Sequence, residues 1–163
     1  MKNFVMAAAA ALLLSTAAQA KDFNIPSEKP VASISMPEGW TANETDSGLE
    51  GTSADSAVYF AVDISEAAAL DKTIQESVKF LEEQGVKIDE KTEKQKQDKL
   101  NGKDAVFVSW AGTDKDGPAT IGLALVLLDE KNALVLTYWG TKGEEDKHGA
   151  EINAIVTSIK SSK

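Results

Sequence analysis

The chain has 163 residues, 26 acidic against 17 basic, for a formal net charge of −9. Every basic residue is Lys, so no basic patch invites nucleic acid or anionic lipid, and the forked donor that grips phosphate or carboxylate is missing. With no Cys and a single His, disulfides, thiol chemistry and ordinary zinc coordination are excluded.

The N-terminus opens Met1-Lys2-Asn3, runs apolar from Phe4 to Leu14, and ends in small residues at Ala18 and Ala20. A positive start, an apolar middle and that small-residue pair predict a secretory signal peptide over 1–20, cleaved after Ala20. The apolar run is shorter than the ~20 residues of a bilayer span. No Cys follows to carry a lipid, so no membrane insertion is expected after cleavage, and the location expected is periplasmic or secreted. Residues 21–30 (KDFNIPSEKP) contain two prolines among polar residues and read as an extended, partly mobile arm. Residues 31–163 suit one domain.

Ala32, Ile34 and Met36 alternate with serines, predicting a strand with one buried face. Pro37-Glu38-Gly39-Trp40 closes it in a tight turn. Trp40 is a candidate for an exposed ligand-stacking ring, against the alternative of a ring plugging the sheet edge. Residues 41–56 are dense in Thr, Asp, Ser and Gly and read as a loop, with at most a short edge strand near Leu49. Val58, Phe60, Val62 and Ile64 alternate with Ala57, Tyr59, Ala61 and Asp63 in the next strand. A helix follows over residues 71–84, with Leu70, Ile74, Val78 and Leu81 as its apolar stripe and Gly85 as its terminator. Thr73-Ile74-Gln75-Glu76 fits a capping box, and Asp71 is a competing cap.

Residues 90–99 alternate in charge with no apolar anchor, as in a solvated edge strand guarded by lysines. Asn101-Gly102 is a two-residue hairpin signal, leading into a strand over 104–110. Asp114-Lys115-Asp116-Gly117-Pro118 then turns the chain into residues 119–140 (ATIGLALVLLDEKNALVLTYWG). Neither face of either apolar run in that stretch is polar, so the hairpin is expected to be covered on both sides. A last helix, residues 144–159, places His148, Ile152, Ile155, Val156 and Ile159 on one stripe, with Glu144, Glu145 and Asp146 in its first turn.

Chemistry is harder to find. His148, the one possible imidazole base, lies on the apolar stripe, and no Gly-x-Ser-x-Gly elbow accompanies it. Asp114-Lys115-Asp116-Gly117 opens like a calcium loop, but its twelfth position is Leu125 where a Glu is needed. The glycines form no phosphate loop. Nothing singles out a pair of catalytic carboxylates, and no cofactor or metal is expected. Trp40, Tyr59 and Trp110 remain as candidates for a partner or ligand surface. Tyr138 and Trp139, on opposite faces of one strand, cannot line one pocket.

In Ile34-Ser35-Met36-Pro37-Glu38-Gly39-Trp40, the helix near Asp71, Leu100-Asn101-Gly102, the strand ending Tyr138-Trp139 and the segment from Glu151 to Ser158, the chain resembles the PsbP-like group. That group includes the Ran-binding import factor and DcrB-type bacterial envelope proteins. The resemblance implies an α+β fold, an antiparallel sheet of about six or seven strands packed between helices. It also implies an accessory or protein-binding role without catalysis, and another protein as partner. A periplasmic small-ligand or calcium-binding protein, and a secretion-system adaptor or immunity protein, are the alternatives.

Overall fold

The computed structural model describes residues 20–162, and not the side chains of Glu145 and Asp146. The expected signal peptide therefore lies outside the described residues apart from Ala20, as do two of the three acids expected in the first turn of the last helix. Described strands are β1 (Ala20–Ile25), β2 (Ala32–Pro37), β3 (Thr41–Glu44), β4 (Gly48–Thr52), β5 (Val58–Glu66), β6 (Lys87–Leu100), β7 (Lys103–Asp114), β8 (Gly117–Leu127), β9 (Asn132–Thr141) and β10 (Lys160–Ser161). Two helices join them, α1 (Leu70–Glu83) after a 3-10 turn at Ala67–Ala69, and α2 (Glu145–Ser158).

Seven strands form one antiparallel sheet in the order β3-β4-β5-β9-β8-β7-β6, and β1-β2-β10 form a second sheet of three. The fold class is α+β, as expected. Helix α1 packs on β5 and β9, while α2 packs on β2. The central hairpin of β8 and β9 is covered on both sides, but diagonally. Ala119 and Ile121 join Leu81 and Val86 under α1, whereas Ala124, Val126 and Leu128 belong to the main core on the opposite face. That main core gathers Ile25, Ile34, Val62, Leu134 and Ile155, each 1 % exposed or less. Beyond the reach of α1, Leu127 is half exposed.

The sequence expectations hold at the strongest local signals. Asn101 and Gly102 both take positive φ, 50° and 83°, which is the backbone a type I′ hairpin turn requires. Asp114 Oδ1 accepts from the amides of Asp116 and Gly117, so the supposed calcium loop is a β-turn. Gly85 ends α1 at φ 84°, its amide donating to the Glu82 carbonyl. Strand β6 is the polar sheet edge.

Four expectations are corrected. Residues 21–25 are extended, as expected, but are no free arm: β1 pairs along the whole of β2 and buries Phe23 and Ile25. Residues 41–56 hold more than the one short strand expected near Leu49: β4 contains Leu49, and β3 pairs with it in a hairpin that extends the main sheet. No side chain caps α1; Ala69 is at its N-cap, and Thr73 Oγ1 instead meets Ser65 Oγ at 2.8 Å. The buried face of α1 is centred on Ser77 and Leu81, with Leu70, Ile74 and Val78 only half-buried. Ser77 hides its hydroxyl on the Thr73 carbonyl, which lets a polar residue face the sheet.

Candidate functional site

The three aromatic candidates do not form one surface. Trp40 is 9 % exposed and belongs to the main core; it plugs the edge and is no ligand platform. Its indole N–H donates to Glu151 Oε2 at 3.1 Å. Tyr59 and Trp110 lie on the other face, in a cross-strand row whose register runs Tyr59, Trp139, Ile121, Trp110. Tyr59 stacks on Trp139 with ring centres 4.4 Å apart, and Phe80 of α1 leans on it at 5.4 Å. At the far end, Trp110 donates to Glu93 at 3.2 Å. Trp139 and Ile121 therefore lie between Tyr59 and Trp110, which line different hollows.

Three features remain. The first surrounds His148, whose ring edge meets Trp40 at 6.2 Å. Its Nδ1 contacts Glu151 Oε2 at 2.7 Å and its Nε2 contacts Asp55 Oδ2 at 3.1 Å. The Glu151 bond chiefly raises the His148 pKa, opposed by burial and helped by Asp55. The same contact lowers Glu151, while the Ser53 hydroxyl and Ala57 amide, ahead of His148, hold Asp55 far below the usual carboxylate range. The Ser53 hydroxyl sits on the carboxylate, at 2.7 Å from Asp55 Oδ1, and both imidazole nitrogens are engaged by acids. That is the reverse of a nucleophile-base order, in which the hydroxyl must meet the imidazole. The cluster pins the start of α2 to the Ser53–Asp55 turn and to Trp40.

The second feature is a cleft of about 280 Å³ between α1 and the β4-β5-β9 surface. Glu50, Tyr59 and Asp63 line the sheet side, Glu76, Ser77 and Phe80 the helix side, and Thr137 also contributes. The Tyr59 hydroxyl donates to Glu50 at 3.1 Å, and burial, then the Glu50 charge, pushes its pKa well up. Burial likewise raises Asp63, partly opposed by the Ser47 hydroxyl at 2.6 Å. Sequence reasoning passed over Asp63 and Thr137. The available signal was a polar residue inside each apolar run, VYFAVDI and LVLTYW, where alternation puts it on the covered face.

The third is an open, almost wholly apolar groove of about 230 Å³ on the α2 side. Phe107, Gly122, Ala124 and Tyr138 floor it, and Ile152 and Val156 of α2 form one wall. Ser109 lines both this groove and a neighbouring hollow bordered by Lys91, Lys94 and Lys142 and by one acid, Glu93. Among the described residues no three acids or histidines are grouped to hold a metal ion, and no helix is long and apolar enough to cross a membrane.

No protein-family model matches the chain, and no curated protein matches it significantly in sequence. Solved structures do match in shape. A protein of Bacteroides thetaiotaomicron aligns with TM-score 0.60 at 15% identity over 89% of this chain, which spans 49% of that protein, about half its length. Cyanobacterial PsbP from Synechocystis aligns with TM-score 0.57 at 8% identity, covering 96% of this chain and 98% of that one. LpqN of Mycobacterium tuberculosis, described as involved in cell envelope biogenesis, aligns with TM-score 0.54 at 13% identity, covering 86% and 90%. Two of these superpositions span nearly whole proteins, so the fold of this chain is the PsbP-like fold it shares with cyanobacterial PsbP and LpqN.

Proposed function

We propose that this chain is an exported, soluble accessory domain of the bacterial envelope that acts by binding a partner protein rather than by catalysis. The observation that carries the reading is the apolar groove beside α2. Apolar side chains left open to water on an acidic domain are costly unless something covers them. The groove neighbours a hollow bordered by three lysines and one acid, on a chain whose net charge is −9. The occupant that fits both is a partner polypeptide with an apolar segment followed by acidic residues. Export rests on the positive, apolar and small-residue pattern of residues 1–20. The envelope setting is supported by the fold shared with LpqN.

The test is affinity capture from envelope extract with the wild type and two variants. Gly122→Val fills the groove floor: its first added carbon meets Tyr138 only at an ordinary 3.5 Å, so the sheet tolerates it. Lys94→Glu with Lys142→Glu reverses the charge of the hollow. One protein recovered with the wild type should be lost with Gly122→Val and weakened, in a salt-dependent way, by the double change. Equal recovery with all three baits sinks the reading, and concentration-dependent dimerisation abolished by Gly122→Val replaces it with self-association.

A further inference from the structure

We propose that the cleft between α1 and the β4-β5-β9 surface binds an organic polycation, of the diamine and polyamine class. This site lies on the opposite face of the sheet from the groove and is independent of it.

Charge is the first argument. Glu50, Asp63 and Glu76 line the cleft, and no lysine does. Two of these carboxylates already share the space at a cost, since Glu50 and Glu76 both act on Asp63 to disfavour its charged form. Lys72, which pairs with Glu76 at 3.2 Å, is solvent-exposed and does not line the cleft, and no ion pair is formed with Asp63 among the described residues. Asp63 receives one hydroxyl, from Ser47, on Oδ1. A half-buried carboxylate among other acids favours a positive partner.

Thr137 supplies an independent argument. It is 2 % exposed, lines the cleft from β9, and its Oγ1 is the buried side-chain polar atom among the described residues that has no hydrogen-bond partner. Such an atom in a native protein calls for an explanation, and a ligand that reaches it is one. An ammonium N–H is a donor that an Oγ1 acceptor can take.

The set of acids argues against a metal ion. Calcium requires six to eight oxygens at about 2.3–2.6 Å around one point, and the acids lining the cleft are not grouped to hold one. Three carboxylates lining one cleft without a lysine favour a polycation over a single ammonium. Tyr59 and Phe80 line the same cleft and add apolar surface for a methylene linker. The volume of about 280 Å³ is large enough for a small aliphatic diamine.

Isothermal titration of the full chain with 1,4-diaminobutane, 1,5-diaminopentane and spermidine tests the site, with n-butylamine, calcium chloride and glucose as comparators. The expected result is saturable binding of at least one diamine or polyamine, about tenfold or more tighter than n-butylamine. Asp63→Asn should weaken it about tenfold. Thr137→Val should weaken it while raising the melting temperature of the free protein, because a hydroxyl without a partner is removed. Glu76→Gln, on the helix rim where the fold is not at risk, should weaken polyamine binding and leave the ligand-free melting temperature unchanged. No saturable binding of any of the three amines overturns the proposal. So do equal affinities for n-butylamine and the diamines, tighter binding of calcium or glucose, affinity unaltered in Glu76→Gln and Asp63→Asn alike, or an ordered water alone bonded to Thr137.

Discussion

At the scale of single residues, the buried polar groups divide into those that hold the fold and one that weakens it. His148 holds it. Its pKa is raised in the folded state, so its contribution is complete below its ordinary value near 6.5 and fades as pH rises through the elevated folded value. Asp55 and Glu151, both lowered, contribute in the opposite sense, and their share is lost only as pH falls through the acid range. Replacing His148 with Gln should therefore cost stability at about pH 5.5 and much less at about pH 9, read as the difference in urea midpoints at the two values. A deficit independent of pH means that ring packing against Trp40, and not the charged bridge, is what the helix uses. Thr137 behaves the other way. Its Oγ1 is buried without a partner, so Thr137→Val, nearly identical in shape, should raise unfolding free energy by about 1 kcal/mol. Ile155 is a plain core residue by contrast, with no exposed surface, and Ile155→Ala should cost about 2–5 kcal/mol.

At the scale of elements, the Asn101-Gly102 turn does more than reverse the chain. The Asn101 amide donates to the carbonyls of Val156 at 3.2 Å and Ile159 at 2.8 Å. Those lie at the C-terminal end of α2, where carbonyls lack helical donors. A hairpin tip thus caps a helix more than fifty residues away and fixes α2 against the sheet. Asn101→Gly keeps the left-handed backbone and deletes both bonds, so it should cost about 1–2 kcal/mol. Hydrogen exchange should quicken at the last turn of α2 before the rest of the helix. Uniform exchange along α2 would show that the cap is idle. The turn was readable in the sequence, because two residues needing positive φ announce themselves as Asn-Gly. The cap was not, since it depends on where a distant helix ends. The β8-β9 hairpin and both helices were readable from long apolar runs and helical stripes. Strand β1 was hidden because Phe23 and Ile25 are its only large apolar residues among polar neighbours. Hairpin β3-β4 was hidden because Gly48 and Gly51 are there for close approach: a Cβ at Gly48 would lie 1.8 Å from the Val62 carbonyl oxygen. Of the candidate aromatics, Tyr59 lines the cleft under α1 and Trp40 takes the reading of a ring plugging the sheet edge; the sequence left both readings of Trp40 open, because a turn that delivers a ring to the surface and one that delivers it to the core have the same signature.

At the scale of the whole molecule, the small sheet explains how one helix of modest length covers the broad second face. Helix α2 does not cover it alone; β2 lies beside it, and β1 and β10 pair with β2 on either side. The N-terminal strand is therefore part of the core layer and not an appendage to it. Phe23 is 6 % exposed and Ile25 not at all. Burial of side chains of that size is worth about 1.5–3 kcal/mol each, so a chain starting at Val31 should be less stable by roughly 3–6 kcal/mol. A chain starting at Lys21 keeps both residues and five of the six β1-β2 register pairs, and should match the full strand within experimental error. The expected cleavage after Ala20 thus falls at the outer end of β1, next to an exposed residue. Mass spectrometry of the exported protein checks the site, and urea unfolding of the two truncations checks the energetics. A mature N-terminus beyond Phe23, or a Val31 chain as stable as the Lys21 chain, would show that the second face closes without its edge strand.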